Sequence, residues 1–161
     1  MKKMIIALLL LGATVSVQEA RAQVSVNINI GSQPAWGPTG YDHADFYYLP
    51  DINCYYDITR SMFIYPNGNR WVYTRTLPPR YRSVNLYNTY KVVVNQPNPY
   101  RYNNVHIREY ARYKGIRNQP LIRDSRDSRY YASKGHPMHQ QWEKGQRGRV
   151  DAGPRNDHSR R

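Results

Sequence analysis

The sequence has very little cysteine, because Cys54 is the only one among 161 residues. An internal disulfide is therefore excluded, and the fold must be held together without one. On an extended strand Cys54 points to the same face as Tyr56 and Ile58, so we interpret it as a small buried hydrophobic residue. The alternative is an intermolecular disulfide, which an oxidising compartment would permit.

Glutamate is also scarce, and the common catalytic motifs are absent. Beyond residue 22 the only glutamates are Glu109 and Glu143, and the aspartates fall mostly in predicted loops or in the C-terminal part. The sequence contains no Gly-x-Ser-x-Gly, no His-Glu-x-x-His and no phosphate-binding loop. We therefore predict that the protein is not an enzyme and uses no cofactor.

No apolar run is long enough for a membrane span. The run from Met4 to Val15 has 12 residues, and a spanning helix needs roughly 20. Lys2 and Lys3 precede this run, and Ala20-Arg21-Ala22 follows with the small-x-small pattern of a cleavage site. Residues 1–22 are therefore predicted to be a signal peptide cleaved near Ala22. The mature chain is predicted to be periplasmic or secreted and to have no transmembrane segment.

Tyrosine is abundant, and its spacing is typical of β-structure. Of the 16 tyrosines, 14 lie before residue 114, in runs that alternate with tight turns. Asn67-Gly68 between two aromatic runs indicates a hairpin. Residues 24–30 alternate β-branched and polar side chains, and Lys91-Val-Val-Val94 is typical of a further strand. We predict a mainly β protein, with a small antiparallel meander over residues 23–100, one or two short helices and a disordered basic C-terminal tail.

A sheet of this size cannot bury all of its aromatic side chains. A module of about 50 residues buries little core, so some rings must line an exposed face, where they would suit sugars or proline-rich peptides. The predicted binding residues of the sheet are Trp71, Tyr73, Tyr55 and Tyr65. The alternative is that these rings only fill the core, and a homodimer formed through an edge strand is another way to gain buried area.

Positive charge is concentrated in the second half of the chain. Residues 101–161 carry 15 Lys and Arg against six Asp and Glu. Residues 101–116 are predicted to form a short helix and linker, with the helix between His106 and Lys114. Residues 117–161 contain few apolar side chains, which is typical of a disordered tail. The predicted polyanion contacts in this tail are Arg123, Arg126 and Arg129.

The same tail holds two closely spaced histidines, His136 and His139. Two imidazoles on a flexible chain could bind copper or zinc loosely, but a defined site requires three or four ligands. No metal site is therefore predicted, and loose metal binding is kept as an alternative.

Several aromatic and turn motifs occur in a fixed order along the chain. They are Trp36-Gly-Pro-x-Gly40, Tyr47-Tyr-Leu-Pro-Asp-Ile52, Tyr55-Tyr56, Phe63-Ile-Tyr65, Gly68-x-Arg-Trp-Val72, Leu77-Pro78 and Tyr90-Lys-Val-Val93. Over residues 23–113 this order resembles a group of small tyrosine-rich exported proteins of Bacteroidota. The resemblance implies a bacterial source and export. It implies no activity, because that group has no established one, and Gly68-Asn69 departs from its more usual Gly-Gly.

These features together predict a non-enzymatic exported protein of the cell envelope. In this interpretation it is an interaction or structural module whose basic tail contacts polyanionic surfaces, while its sheet recognises an envelope protein or packs on itself. The first alternative is a nucleic-acid-binding protein that uses the Arg-rich tail. The second is loose metal binding by the tail histidines.

Overall fold

The computed structural model describes the backbone of residues 28–151 and the side chains of residues 28–148. The predicted signal peptide, most of the strand predicted at residues 24–30 and the last ten residues lie outside this part. At the end of that predicted strand the chain is not extended, because Ile30–Ser32 forms a 3-10 turn.

A five-stranded antiparallel sheet forms the centre of the fold. Its strands are β1 (Phe46–Leu49), β2 (Cys54–Asp57), β3 (Met62–Asn67), β4 (Arg70–Thr74) and β5 (Val92–Val94). They lie in the order β4-β3-β2-β1-β5, so the first four strands form a meander and β5 returns to pair with β1. The prediction of a mainly β protein built on a small antiparallel meander is confirmed.

The hairpin between β3 and β4 contains the glycine that indicated a turn in the sequence. Asn67 pairs with Arg70, so the two loop residues are Gly68 and Asn69. Gly68 has a φ of 59°, a left-handed value that glycine adopts without a steric penalty. A glycine at the first loop position suits the right-handed twist of the paired strands. The turn is therefore where the sequence predicted it, with the loop one residue later than Asn67-Gly68.

Adjacent tyrosines on β1 and β2 point to opposite faces of the sheet, because side chains alternate along a strand. One face, the Tyr47 face, buries Tyr47, Leu49, Cys54, Tyr56 and Phe63 and is covered by Trp36 and by residues from the connection between β4 and β5. The other, the Tyr55 face, contains Tyr48, Tyr55, Ile64 and Val94, packed against Trp71, Tyr100 and Tyr110. The tyrosines of β1 and β2 therefore fill both sides of the sheet.

Close packing on the Tyr47 face depends on a glycine. A Cβ at Gly37 would lie 2.9 Å from ring carbons of Tyr47, which is well inside van der Waals contact. Next to it, the Trp36 ring packs edge-on against Tyr47 and Tyr56, with ring centroids 5.6 Å and 4.8 Å away. The N-terminal loop thus covers this face of the sheet, and Trp36 contributes its large apolar ring to the core.

A short helical segment covers the Tyr55 face. It begins with the 3-10 turn Pro99–Tyr102, continues as helix α1 (Asn103–Glu109) and ends with the turn Ala111–Tyr113. The helix predicted between His106 and Lys114 therefore begins three residues earlier than expected and ends at Glu109. His106 is its buried residue, and its ring lies against Tyr48 and Tyr55.

The prediction that residues 117–161 are disordered does not hold for the described part of that range. Leu121, Ile122 and Tyr130 are buried, and the last two form a small core with Ile30. The main-chain amides of Ile122 and Arg123 donate to the carbonyls of Gly37 and Ala35, both at 2.9 Å. The few apolar residues of this segment fold because the N-terminal loop offers them a surface, so the folded domain extends well past residue 100.

Helix α2 (His139–Asp151) follows this segment and is highly polar. Its first residue contacts the preceding segment, because His139 Nδ1 lies 2.9 Å from the Tyr131 carbonyl, and within the first turn the rings of His139 and Trp142 stack at 5.8 Å. Within residues 28–151 no helix is both long and apolar enough to cross a membrane.

Candidate functional site

The four aromatic residues predicted to form a binding face do not lie on one exposed surface. Tyr55 is fully buried, and burial raises the pKa of its hydroxyl. Tyr65 lies on the opposite face from Tyr55, and the Arg80 guanidinium is 5.9 Å from its ring centroid. Only Trp71, which is half-buried, and Tyr73, which is 41% exposed, reach the surface on the Tyr55 side.

Trp71 lies in a groove between the β3–β4 hairpin and the segment that covers the Tyr55 face. This groove, here called the hairpin groove, has a volume of about 300 Å³. Its hairpin side consists of Pro66, Gly68, Asn69, Arg70 and Trp71, and its other side consists of Tyr100, Arg101, Asn103 and Asn104. Of these nine residues, only Trp71 is among the binding residues predicted from the sequence.

The other side of the groove is positioned by a bend at Asn98. This residue has a φ of 50°, which is left-handed, and the 3-10 turn that follows directs Tyr100 toward the sheet. The Tyr100 hydroxyl donates a hydrogen bond to the Asn98 side chain at 2.7 Å. The rings of Tyr100 and Trp71 then lie 5.5 Å apart, so the two aromatics form one continuous wall. In the sequence, only the prolines at residues 97 and 99 on either side of Asn98 indicate this bend.

Asn103 connects the groove to a buried hydrogen-bond network. Its side-chain amide donates to Asn53 at 2.7 Å and to the Tyr55 hydroxyl at 3.1 Å. The Tyr55 hydroxyl is also 2.8 Å from His106 Nδ1, and Gln96 is 3.2 Å from His106 Nε2. Burial lowers the pKa of His106, so the ring is neutral near pH 7 and has one N–H and one lone pair for these two partners. Asn103 is therefore held in a fixed orientation.

The groove is lined by positive charge without a nearby carboxylate. Arg70 and Arg101 are both exposed at its rim. Neither makes an ion pair with another residue in the described part of the chain, and no described Asp or Glu lines the groove. An unpaired guanidinium keeps all of its N–H donors for a ligand.

The three tail arginines predicted to contact polyanions have different environments. Arg123 pairs with Asp124 at 2.8 Å, and its guanidinium lies 4.2 Å from the Tyr87 ring centroid. Arg129 pairs with Asp127 at 2.8 Å and with Asp42 at 2.7 Å, which ties this segment to the N-terminal loop. Arg126 is exposed and has no ion-pair partner among residues 28–148. Two of the three charges are thus already partnered within the protein.

The tail histidines are engaged in internal hydrogen bonds. His136 is buried, with Nε2 3.0 Å from the Ser125 carbonyl, and its Nδ1 accepts from the Met138 amide at 3.0 Å. His139 Nδ1 lies 2.9 Å from the Tyr131 carbonyl. No group of three or more His, Cys, Asp or Glu suited to a metal occurs among the described residues. Both nitrogens of His136 are used, so its ring is not free to bind a metal in this conformation.

Cys54 and Lys91 are buried titratable residues that lie outside the groove. Cys54 is fully buried, which confirms that it packs as a hydrophobic residue, and burial raises the pKa of its thiol to about 12. A thiol held in its neutral form is a poor nucleophile. The burial of Lys91 has no signal in the sequence, where Lys91-Val-Val-Val94 is typical of an ordinary strand. Its ammonium donates to the Leu86 carbonyl at 2.8 Å.

No protein-family model matches this chain, and neither a curated protein nor a solved structure matches it significantly. The resemblance to tyrosine-rich exported proteins therefore stays a prediction.

Proposed function

We propose that the protein is an exported, non-catalytic module of the cell envelope that binds polyanionic surfaces. The observation that carries this proposal is the charge of the segment covering the Tyr55 face. Residues 101–114 display four exposed cations, Arg101, Arg108, Arg112 and Lys114, against one carboxylate, Glu109. None of the four forms an ion pair with another described residue. These charges are available to an external anion.

The packing of this segment supports its role as a binding surface. His106 and Tyr110 lie against Tyr48 with ring centroids 5.8 Å away in each case, so the segment is fixed to the sheet between its exposed cations. Charges on a rigid element lose less conformational entropy on binding than charges on a disordered chain. We therefore propose that the cations of residues 101–114, rather than Arg123 and Arg129, make the main contacts with the polyanion.

The proposal of export rests on the N-terminal sequence, where Lys2 and Lys3 precede an apolar run and Ala20-Arg21-Ala22. In the envelope the available polyanions are anionic lipids, lipopolysaccharide and acidic glycans. Contacts to such surfaces contribute affinity through charge, and added salt weakens them.

The test is the binding of the mature protein to vesicles that contain phosphatidylglycerol. A variant in which Arg101, Arg108, Arg112 and Lys114 are all changed to Gln should bind roughly a hundredfold to a thousandfold less tightly, since each cation near an anionic surface contributes about 1 kcal/mol. Binding of the unchanged protein should fall steeply as salt is raised, and that of the variant should depend less on salt. Vesicle co-sedimentation at several salt concentrations measures both effects.

A control variant removes the same amount of charge from other places. Arg75, Arg82, Lys134 and Lys144 are exposed and make no ion pair with a described residue, so changing all four to Gln lowers the net charge equally. We expect this variant to keep most of the vesicle affinity. An equal loss in the two variants would mean that net charge alone drives binding, and full binding by the first variant would contradict the proposal.

A further inference from the structure

The hairpin groove has a composition that is unusual for a purely electrostatic surface. Asn69 and Asn104 line it with side-chain amides, and Trp71 and Tyr100 supply an aromatic wall. Amides both donate and accept hydrogen bonds, as is needed to bind vicinal hydroxyl groups. An aromatic wall packs against the apolar side of a saturated ring. Neither feature is required for contact with a lipid headgroup layer.

The charge of the groove selects for an acid. Arg70 and Arg101 flank the amides, and no described carboxylate lines the groove. A planar guanidinium matches a carboxylate through two parallel N–H···O bonds. A carboxylate on the ligand would therefore meet an arginine that has no competing partner within the described protein. A cationic or neutral ligand would leave both guanidinium groups unpaired.

The groove is organised before any ligand arrives. The Asn103 amide is fixed by Asn53 and by the Tyr55 hydroxyl, and the Trp71 ring is held between Tyr55 at 5.9 Å and Tyr100 at 5.5 Å. Side chains locked by a supporting layer of buried residues lose little entropy on binding. A pocket of about 300 Å³ is at the lower end of the range for small-molecule sites, so it suits a short unit rather than a long polymer.

We propose that the hairpin groove binds a carboxylated sugar unit, with the ring against Trp71 and Tyr100, the hydroxyl groups on the amides of Asn69 and Asn104 and the carboxylate between Arg70 and Arg101. This inference rests on the proposed function, because it names the chemical class of one polyanion and the place where the protein recognises it. Stacked nucleobases fit less well, since the two aromatic rings are half-buried against each other and leave no open slot between them.

The test uses the mature protein and trigalacturonate, with its methyl ester as the uncharged analogue. Binding is followed by NMR through the indole N–H signal of Trp71, which is assigned by its loss in Trp71→Phe. We expect saturable binding of the acid that shifts this signal and at least tenfold weaker binding of the ester. Arg101→Gln should weaken binding of the acid about tenfold, as expected for the loss of one charge-assisted pair.

Arg108→Gln is the matched control. It removes one exposed cation from the same segment, but Arg108 does not line the groove. It should change the affinity for trigalacturonate by no more than about twofold. Arg101→Gln and Arg108→Gln should weaken vesicle binding equally, and each by less than the variant with all four cations changed.

The outcomes separate the two proposals. If vesicles bind but trigalacturonate does not, or if Arg101→Gln and Arg108→Gln weaken trigalacturonate binding equally, the groove proposal is overturned and the proposed function stands. Equal binding of the acid and the ester would also overturn it, as would displacement of the acid by a single-stranded oligonucleotide that binds more tightly. If neither vesicles nor trigalacturonate bind, both proposals fail.

Discussion

Among single residues, Lys91 is the one whose environment departs most from what its type predicts. Its side chain is 1% exposed, although lysine is almost never fully buried unless it is paired. Its ammonium has the Leu86 carbonyl as a partner, and no carboxylate of the described chain lies within ion-pair distance. Burial penalises the charged form and lowers the pKa of Lys91 to about 8.

This lowered pKa predicts how stability depends on pH. Between pH 8 and 10.5 the unfolded state holds more protons at this position than the folded state, so the contribution of Lys91 to stability rises with pH across that window. Below pH 8 the folded protein carries the whole penalty of a buried charge. Lys91→Met should therefore be more stable than the unchanged protein at pH 7, by roughly 1 kcal/mol after loss of the hydrogen bond to Leu86.

The advantage of Lys91→Met should shrink as the pH is raised from 8 to 10. Urea unfolding at pH 7, 8.5 and 9.5 measures the free energy difference between the two proteins. Lys91→Gln is the control, because its amide can still donate to the Leu86 carbonyl but does not titrate. A gap that stays constant with pH would show that the Lys91 ammonium is not desolvated in the folded state.

Among the elements, the segment of residues 117–138 is notable because it is folded against the N-terminal loop. Ser133 donates to the Gln33 carbonyl at 2.7 Å, and the Gly40 amide donates to the Tyr130 hydroxyl at 2.6 Å. These bonds join residues 90 to 100 positions apart in the chain. The segment and the N-terminal loop therefore stabilise each other.

Ending the chain at residue 116 should therefore destabilise the domain. The truncation exposes Ile30 and removes the buried Ile122 and Tyr130, and each fully buried apolar side chain contributes about 1.5–3 kcal/mol. We expect a loss of roughly 3 kcal/mol in the free energy of unfolding, measured by urea denaturation. A chain that ends at residue 138 keeps this small core and is the control, with an expected change of less than about 1 kcal/mol. Equal stability of the two truncated chains would contradict the packing described here.

The contrast between the strands and this segment shows what could be predicted from the sequence. The strands and the hairpin could be predicted because their signals are local: alternating side chains and a Gly68 turn that joins neighbours in the chain. The folded structure of residues 117–138 could not be predicted, because Leu121, Ile122 and Tyr130 are too few to suggest a core by themselves. Their burial depends on a surface that only the folded N-terminal loop provides.

In the candidate site, only Trp71 could be predicted, for the same reason. Trp71 lies on a strand with a clear pattern, but its neighbours Arg101 and Asn103 lie 30 and 32 residues further along the chain. The left-handed residue Asn98 brings them together, and such a bend leaves no periodic pattern in the sequence.

For the whole molecule, the main feature is a core built from tyrosine hydroxyls as well as rings. Tyr47, Tyr48 and Tyr55 are fully buried, and each hydroxyl has a side-chain partner. Burial raises the pKa of Tyr48 to about 12 and raises the pKa of Tyr47 and Tyr55 further. In the unfolded chain these hydroxyls ionise near pH 10.

The protein should therefore unfold in alkali as a consequence of its own core. The pKa values of these hydroxyls are higher in the folded state than in the unfolded state. Their contribution to the free energy of unfolding is therefore fully present below pH 10 and is lost as the pH rises above 10. Each buried tyrosine lowers the free energy of unfolding by up to 1.4 kcal/mol per pH unit, and by less where water reaches the hydroxyl. Three of them can offset a typical stability of about 5–15 kcal/mol within a few pH units. We expect the exposed tyrosines to ionise near pH 10 and the protein to unfold cooperatively between about pH 11 and pH 13, where the remaining phenolate absorbance and the far-UV circular dichroism should change together.

Two tyrosine variants separate this mechanism from a general effect of alkali. Tyr47→Phe keeps the ring and removes a titrating hydroxyl, so the free energy of unfolding should fall less steeply with pH, although the lost hydrogen bond to Gln33 lowers stability at pH 7 by about 1 kcal/mol. Tyr102 is 55% exposed, and Tyr102→Phe should leave the alkaline transition unchanged. If all phenolate absorbance developed near pH 10 while the circular dichroism stayed native, the buried hydroxyls would be accessible to water. The tyrosine core would then not determine the alkaline limit of the fold.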